Sequence, residues 1–380
     1  MKIAILTQPL KTNYGGILQA YALQTILSRS GHSVTVINRR HKWEVGEKMS
    51  LFVLLLRMAS FIKTIVRKWI LRRRGYVLMS PFSPDYHSRL TEQDPLPFVR
   101  RHINLSRKIF TSEALNEYLK HKEFDAYVVG SDQVWRPCYS PCITDFFLKE
   151  VPLSPTVLRI AYAASFGTDV WEFSEEETTE CAALARDFDA ISVREQSGIQ
   201  MCKKYLGVKA VHLLDPTLLL DVEDYISLIE RADTKRNSGN LFCYILDENP
   251  DADKILSSLQ NDGYRPYYAG LDPMKYNISV EQWLRNFYDA ALIVTDSFHA
   301  CVFSILFKKP FVVLRNEDRG TARLDSLLGI FGLEDCAVES YNEYVERRDL
   351  IAKAYDNDRV AEVLDDWRGK TNDFLKSVGL

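Results

Sequence analysis

With 380 residues, 46% of them hydrophobic and 26% charged, the chain is long enough for two cores and has the composition of an ordinary globular protein, so a two-domain enzyme is the starting expectation. A formal charge of -3 and a pI near 6.2 exclude a surface built throughout to hold nucleic acid. Seven cysteines without tandem CxxC pairs suggest no structural metal site and no disulfide framework, and no apolar run reaches the ~18 residues of a membrane-spanning helix.

KIAILT (2–7) is a short continuous apolar run, as in a strand buried on both faces, and YGGILQAYALQTILSRSG (14–31) has helical spacing that ends in Gly31. HSVTVINR (32–39) is the next strand, so the chain opens with a right-handed βαβ unit. From Ser50 to Tyr76, apolar residues are interrupted by Arg57, Lys63, Arg67, Lys68 and the cluster Arg72, Arg73, Arg74, and no acid stands between Glu47 and Asp85. A basic amphipathic helix of this kind fits an anionic membrane surface. A core helix whose long cations reach water is the other reading, and the basic surplus favours the membrane.

After a proline-containing excursion, FDAYVVGSD (124–132), LRIAYAASFGT (158–168) and FDAISVRE (188–195) each repeat strand then turn. A helix from Ser197 to Leu206 and a strand AVHLLD (210–215) follow, which predicts a doubly wound α/β first domain over residues 1–215. NLFCYIL, DADKILSSLQNDG, YRPYYAG, the helix SVEQWLRNFYDA and the strand ALIVTDS predict a second parallel sheet over 216–341. The tail, 342–380, is charged and helical in character and could pack back over the first domain.

Two such sheets make a cleft, and ligands of open parallel sheets bind at the carboxyl ends of the strands. The first strand end offers Asn13, Tyr14, Gly15 and Gly16 ahead of a helix whose amides can meet an anion, without the spacing of a dinucleotide or P-loop fingerprint. The next ends bring Ser131 and Asp132, then Ser165, then Arg194 and Glu195. Arg194 presents a planar donor fork suited to carboxylate or phosphate, or else a salt bridge to a neighbouring acid. In TDSFHA, Asp296 and Ser297 end a strand, one of them caps the helix that follows, and His299 falls in its first turn. A single histidine there is a packed residue or a proton-transfer group, and the strand-edge groups gathered in both domains favour the second.

NYGGILQAYALQ, VVGSDQVW, SVREQSG, LLDPTLLL and TDSFHACVFSILFKKPFVVL, taken in order over nearly the full chain, resemble the polysaccharide pyruvyl transferase family. The resemblance implies two Rossmann-like domains in a GT-B-like arrangement. It also implies phosphoenolpyruvate as donor of a pyruvyl group to hydroxyls of a glycan or an undecaprenyl-diphosphate-linked sugar, in exopolysaccharide or capsule assembly, with no cofactor. Arg194 and His299 match the family's arginine and histidine, which implies Arg194 on the donor's anionic groups and His299 in phosphate contact or proton transfer; His299, Arg194 and Asp132 are the expected catalytic groups, and His299, Asp132 and Glu195 are each chemically able to serve as the general acid. Many members carry an arginine two residues before that histidine, where this chain has Ser297, so Arg315, Arg319 and Arg323 become candidates for the missing cation. The expected location is cytoplasmic, peripheral on the inner face of the membrane, with no nucleic acid partner. A glycosyltransferase of the same architecture using a nucleotide sugar, and a non-catalytic binding protein of polysaccharide assembly, are the competing readings.

Overall fold

A computed structural model describes residues 1–42, 58, 62, 95–269, 278–316, 320–354 and 357–380. Apart from Met58 and Ile62, the basic segment 50–76 lies outside the described residues, as does Arg319.

Six parallel strands form the first sheet: β1 (Lys2–Leu6), β2 (Ser33–Ile37), β3 (Ala126–Val129), β4 (Leu158–Ala164), β5 (Ala190–Val193) and β6 (Val211–His212), in the order β2-β1-β3-β4-β5-β6. Five more, β7 (Leu241–Tyr244), β8 (Pro266–Tyr268), β9 (Leu292–Thr295), β10 (Phe311–Leu314) and β11 (Ala337–Val338), form a second parallel sheet in the order β11-β10-β9-β7-β8. AYVV, LFCY, LIVT and FVVL are buried at every position, as strands covered on both faces by helices must be. The two Rossmann-like sheets expected from the alternating pattern are therefore both present.

Twelve α-helices are described: α1 (Tyr14–Arg29), α2 (Pro95–His102), α3 (Ser112–Lys120), α4 (Glu175–Ala185), α5 (Gln196–Met201), α6 (Val222–Arg231), α7 (Pro250–Asn261), α8 (Val280–Asp289), α9 (Phe298–Leu306), α10 (Ala322–Phe331), α11 (Tyr341–Ala354) and α12 (Asn357–Ser377). Local chemistry starts and stops them. Asn13 caps α1 by accepting the Gly16 amide, Ser174 and Glu177 form a capping box on α4, and Gly332 ends α10 in the left-handed conformation at φ 64. No helix among the described residues is long and apolar enough to cross a membrane.

One hydrophobic core runs without a break from Ile3 and Ile5 of the first sheet to Phe303 of α9 and Phe311 of the second sheet. At its centre Tyr14 stacks on Trp283 with ring centroids 5.4 Å apart, and its hydroxyl donates to the Ile278 carbonyl at 2.8 Å. From α12, Arg368 donates to the carbonyls of Leu218 and Leu220, and Trp367 meets His212 edge to face, so the chain's last helix grips the connector between the sheets. The sheets share a strand order: in each, the first strand to form is flanked by the second on one side and the third on the other. Each thus has a switch point, between β1 and β3 and between β7 and β9, where helices leave in opposite directions and open a crevice. The residues after these four strands face a common space.

Candidate active site

That space is a cavity of about 480 Å³, within the range of small-molecule sites. Gln8, Asn13, Gly15 and Asp132 line it from the first sheet; Asp296, Ser297, His299 and Arg323 line it from the second. Among the described residues, no group of three or more His, Cys, Asp or Glu side chains is arranged to hold a metal ion.

His299, only 6% exposed, rests on the bare Cα of Gly15, and its Nε2 stands 3.6 Å from Asp215 Oδ2. Asp215 organises the wall behind it. One carboxylate oxygen accepts from Thr217 N at 3.0 Å and Thr217 Oγ1 at 2.6 Å; the other takes Arg194 Nη1 at 2.5 Å. Burial alone would push this carboxyl up, but His299, Arg194 and Thr217 together hold it well below the usual carboxylate range, so it stays anionic. Asp215 is the site residue that the sequence reading missed. It ends the segment AVHLLD and belongs to the motif LLDPTLLL, neither of which was given a site role; the available signal was its position three residues past β6 and directly before Pro216, at the junction of the sheets.

Arg194 does not line the cavity. Its second nitrogen, Nη2, bonds Asp132 at 3.2 Å, its guanidinium lies 4.6 Å over the ring of Phe298, and the residue is 3% exposed. Burial opposes its charge, yet Asp215, Asp132 and Glu195 outweigh that and keep it protonated. The salt-bridge alternative for Arg194 is the one realised: the expected direct contact with a donor's anionic groups gives way to a fixed strut that holds Asp132 and Asp215.

Several expected ligand contacts turn out to be internal. Ser131 Oγ donates to the Ala163 carbonyl at 2.8 Å, and Ser165 Oγ donates to Glu195 Oε1 at 3.1 Å; both serines are fully buried, and neither lines the cavity. Glu195 is equally buried and receives the amides of Phe166 and Gly167, with burial raising its pKa, so it braces that loop. Tyr14 ties the two sheets together. At the start of α1 the Gly16 amide is taken by the Asn13 side chain, while Asn13 and Gly15 line the cavity.

The start of α9 behaves oppositely. Asp296 does not cap it, because its carboxylate accepts the amides of Leu246 (2.8 Å) and Asp247 (3.1 Å) from the neighbouring β7 edge. Ser297 holds the N-cap position, yet its hydroxyl makes no cap bond. The positive end of a nine-residue helix therefore lies at the cavity without a capping bond from its N-cap side chain. Beside it, Arg323 lines the cavity, 8% exposed, with its guanidinium 5.7 Å over the other reach of Phe298. Burial and nearby Arg194 lower its pKa to about 10. Of the other arginine candidates, Arg315 pairs with Asp325.

Comparison with known proteins agrees with this arrangement. The sequence pattern of the family described as polysaccharide pyruvyl transferase matches residues 13–318. No curated protein sequence matches the chain. Among solved structures, a UDP-GlcNAc 2-epimerase from Methanocaldococcus jannaschii superposes with a TM-score of 0.50 at 10% identity, covering 96% of this chain and 99% of that one. MurG from Acinetobacter baumannii gives 0.45 at 11% identity, with 99% of each chain covered. At such identities the first likeness speaks for the fold alone, the GT-B arrangement of two sheets about a cleft.

Proposed function

Because the chain belongs to the polysaccharide pyruvyl transferase family, we propose that it moves a pyruvyl group from phosphoenolpyruvate onto two hydroxyls of one sugar, in a polysaccharide or its undecaprenyl-diphosphate-linked precursor, forming a cyclic ketal. The observation that carries the reading is the uncapped start of α9 beside Arg323, with His299 in the same turn. A donor bearing a phosphate and a carboxylate needs backbone amides and a guanidinium fork, and both are offered on one wall.

In this reading His299 delivers a proton to the methylene carbon of phosphoenolpyruvate, leaving positive character at C2, which a sugar hydroxyl attacks. The bond from C2 to the phosphate oxygen breaks, and a second hydroxyl closes the ketal. Two protons leave the hydroxyls; one restores His299 and the other departs on phosphate, so the step balances. Asp215 and Arg194 touch neither substrate. Asp215 stands 3.6 Å from the imidazole, and Arg194 holds Asp215 and Asp132 in place. Asp132, on the opposite wall of the cavity, is the carboxylate available to relay a hydroxyl proton to the departing phosphate.

The cavity exceeds what a three-carbon phosphoester fills and leaves room for a sugar. The basic composition of segment 50–76 supports an acceptor held at a membrane surface and, with it, a protein working at the cytoplasmic face.

Thermal unfolding with phosphoenolpyruvate and with a panel of nucleotide sugars tests the reading. A ligand that binds only the native state adds about 2.7 kcal/mol at one hundred times its Kd. Stabilisation by phosphoenolpyruvate that is lost in His299→Ala and Arg323→Met supports the proposal. Stabilisation by a nucleotide sugar instead moves the protein to the glycosyltransferases, and stabilisation by neither points to a binding protein without this chemistry.

A further inference from the structure

We propose that Tyr139 is the platform on which the acceptor sugar stacks, so that the acceptor is bound as a pyranose lying face-on against the first-sheet wall. This rests on the pyruvyl-transfer reading and adds to it the residue that selects the acceptor.

Four aromatic side chains line the cavity among the described residues, and they differ sharply in exposure. Tyr244, Trp283 and Phe298 are 7%, 0% and 9% exposed, being parts of the core that happen to reach the wall. Tyr139 is 44% exposed. A single exposed aromatic is unremarkable by itself; what distinguishes this one is its mounting.

Arg136 lies 4.8 Å from the ring centroid of Tyr139 and is itself clamped by both oxygens of Glu172, at 2.8 and 2.9 Å, and by Gln133 Oε1 at 3.3 Å. The next residue, Ser140, donates to the Val134 carbonyl at 2.7 Å and receives Gln8 Nε2 at 3.0 Å, and that same nitrogen also donates to the Gln133 carbonyl at 2.8 Å. The turn bearing Tyr139 is thus bolted to the end of β1, and a guanidinium supports the ring from one side. A ring held this way loses little freedom when a ligand covers its remaining surface.

A pyranose presents an apolar face of C–H bonds and a polar rim of hydroxyls, and it matches an exposed aromatic flanked by amides such as Gln8. Arg323 and the start of α9 occupy the second-sheet wall, so a sugar on Tyr139 would lie on the other side of the cavity from a donor held there.

Saturation-transfer NMR of the full chain with methyl glucopyranoside, galactopyranoside, mannopyranoside and N-acetylglucosaminide, with and without phosphoenolpyruvate, reads acceptor binding separately from donor binding. At least one glycoside is expected to receive saturation through its C–H face. Tyr139→Ala should weaken that binding by about tenfold or more, Tyr139→Phe should keep it within about twofold, and both should leave stabilisation by phosphoenolpyruvate unchanged. Undiminished binding in Tyr139→Ala, equal loss in Tyr139→Phe, or no saturation of any glycoside overturns the platform. Glycoside binding that depends on Tyr139 in a protein that ignores phosphoenolpyruvate would keep the platform and refute the donor instead.

Discussion

The imidazole of His299 occupies the space a side chain on Gly15 would need: a Cβ built there would stand 2.0 Å from Cγ and 2.1 Å from Nδ1 of the ring. The helix start of the first sheet and the helix start of the second thus meet through a glycine, and the position of the histidine depends on it.

Gly15→Ala separates two opposing effects. Replacing glycine in a helix by alanine ordinarily stabilises by roughly 0.5–1 kcal/mol. Here the methyl group must displace a buried ring or part the two sheets, so the expected result is a lower Tm together with loss of stabilisation by phosphoenolpyruvate. Calorimetry of the variant with and without that ligand measures both. A variant more stable than the parent, with donor binding intact, would show that the ring sits elsewhere.

Asp215→Asn removes the charge to which Arg194 is bonded and beside which His299 stands. Breaking one partner of a buried ion pair costs about 3–5 kcal/mol, because the other charge is left buried with less to balance it. The pH dependence has a definite sign. A carboxyl whose folded pKa lies below its unfolded value, about 3.9, contributes stability that is fully present above that value and is lost as pH falls toward the folded pKa. The part of the stability gap that Asp215's own titration contributes should therefore persist down to about pH 5 and shrink below about pH 4. Urea titrations at pH 5 and 3.5 measure it; a gap that fails to narrow between them would contradict the depressed pKa.

Arg323→Met should behave as a functional change with little structural consequence. Burial and Arg194 act against the charge of this guanidinium, lowering its pKa to about 10, while Asp132 and Glu195 act for it. Removing it is expected to change Tm of the ligand-free protein little. A bound phosphate or carboxylate would add a further opposite charge, so the variant should lose stabilisation by phosphoenolpyruvate. Differential scanning fluorimetry with and without that ligand distinguishes this from a structural arginine, whose removal would lower Tm in both.

The alternation of apolar runs and helical spacing was enough to read two parallel sheets, because a strand covered on both faces must be apolar throughout, as LIVT and FVVL are. Of the residues read at strand ends, Asn13, Gly15, Asp132, Ser297 and His299 line the cavity. What local sequence could not tell is which strand-end side chain turns outward. Ser131 and Ser165 sit at such ends and point into the protein, because the Ala163 carbonyl and Glu195 await them there. Arg194 fits an anion site chemically; only the tertiary fold brings two carboxylates to it from positions 62 and 21 residues away. Asp215 became visible only when β6 and α9 met across the cleft.

Ser297→Arg asks whether the cation that many members of the family carry at this position has been moved to Arg323. Ser297 lines the cavity, is 8% exposed and leaves the helix start uncapped, so an arginine there would project toward the space that Arg323 already serves. In the parent background a third buried guanidinium beside Arg323 and Arg194 adds like-charge repulsion, and the expected result is a lower Tm. In the Arg323→Met background that repulsion is reduced. There Ser297→Arg should restore stabilisation by phosphoenolpyruvate, at least in part, while Ser297→Gln, which adds length without charge, should not. The double-mutant cycle on ligand-induced Tm shift reads the coupling directly. Rescue would mean that one anion site can be served from either of two positions on the cavity wall; additive losses would mean that Arg323 holds a different group of the ligand from the one an arginine at 297 would hold.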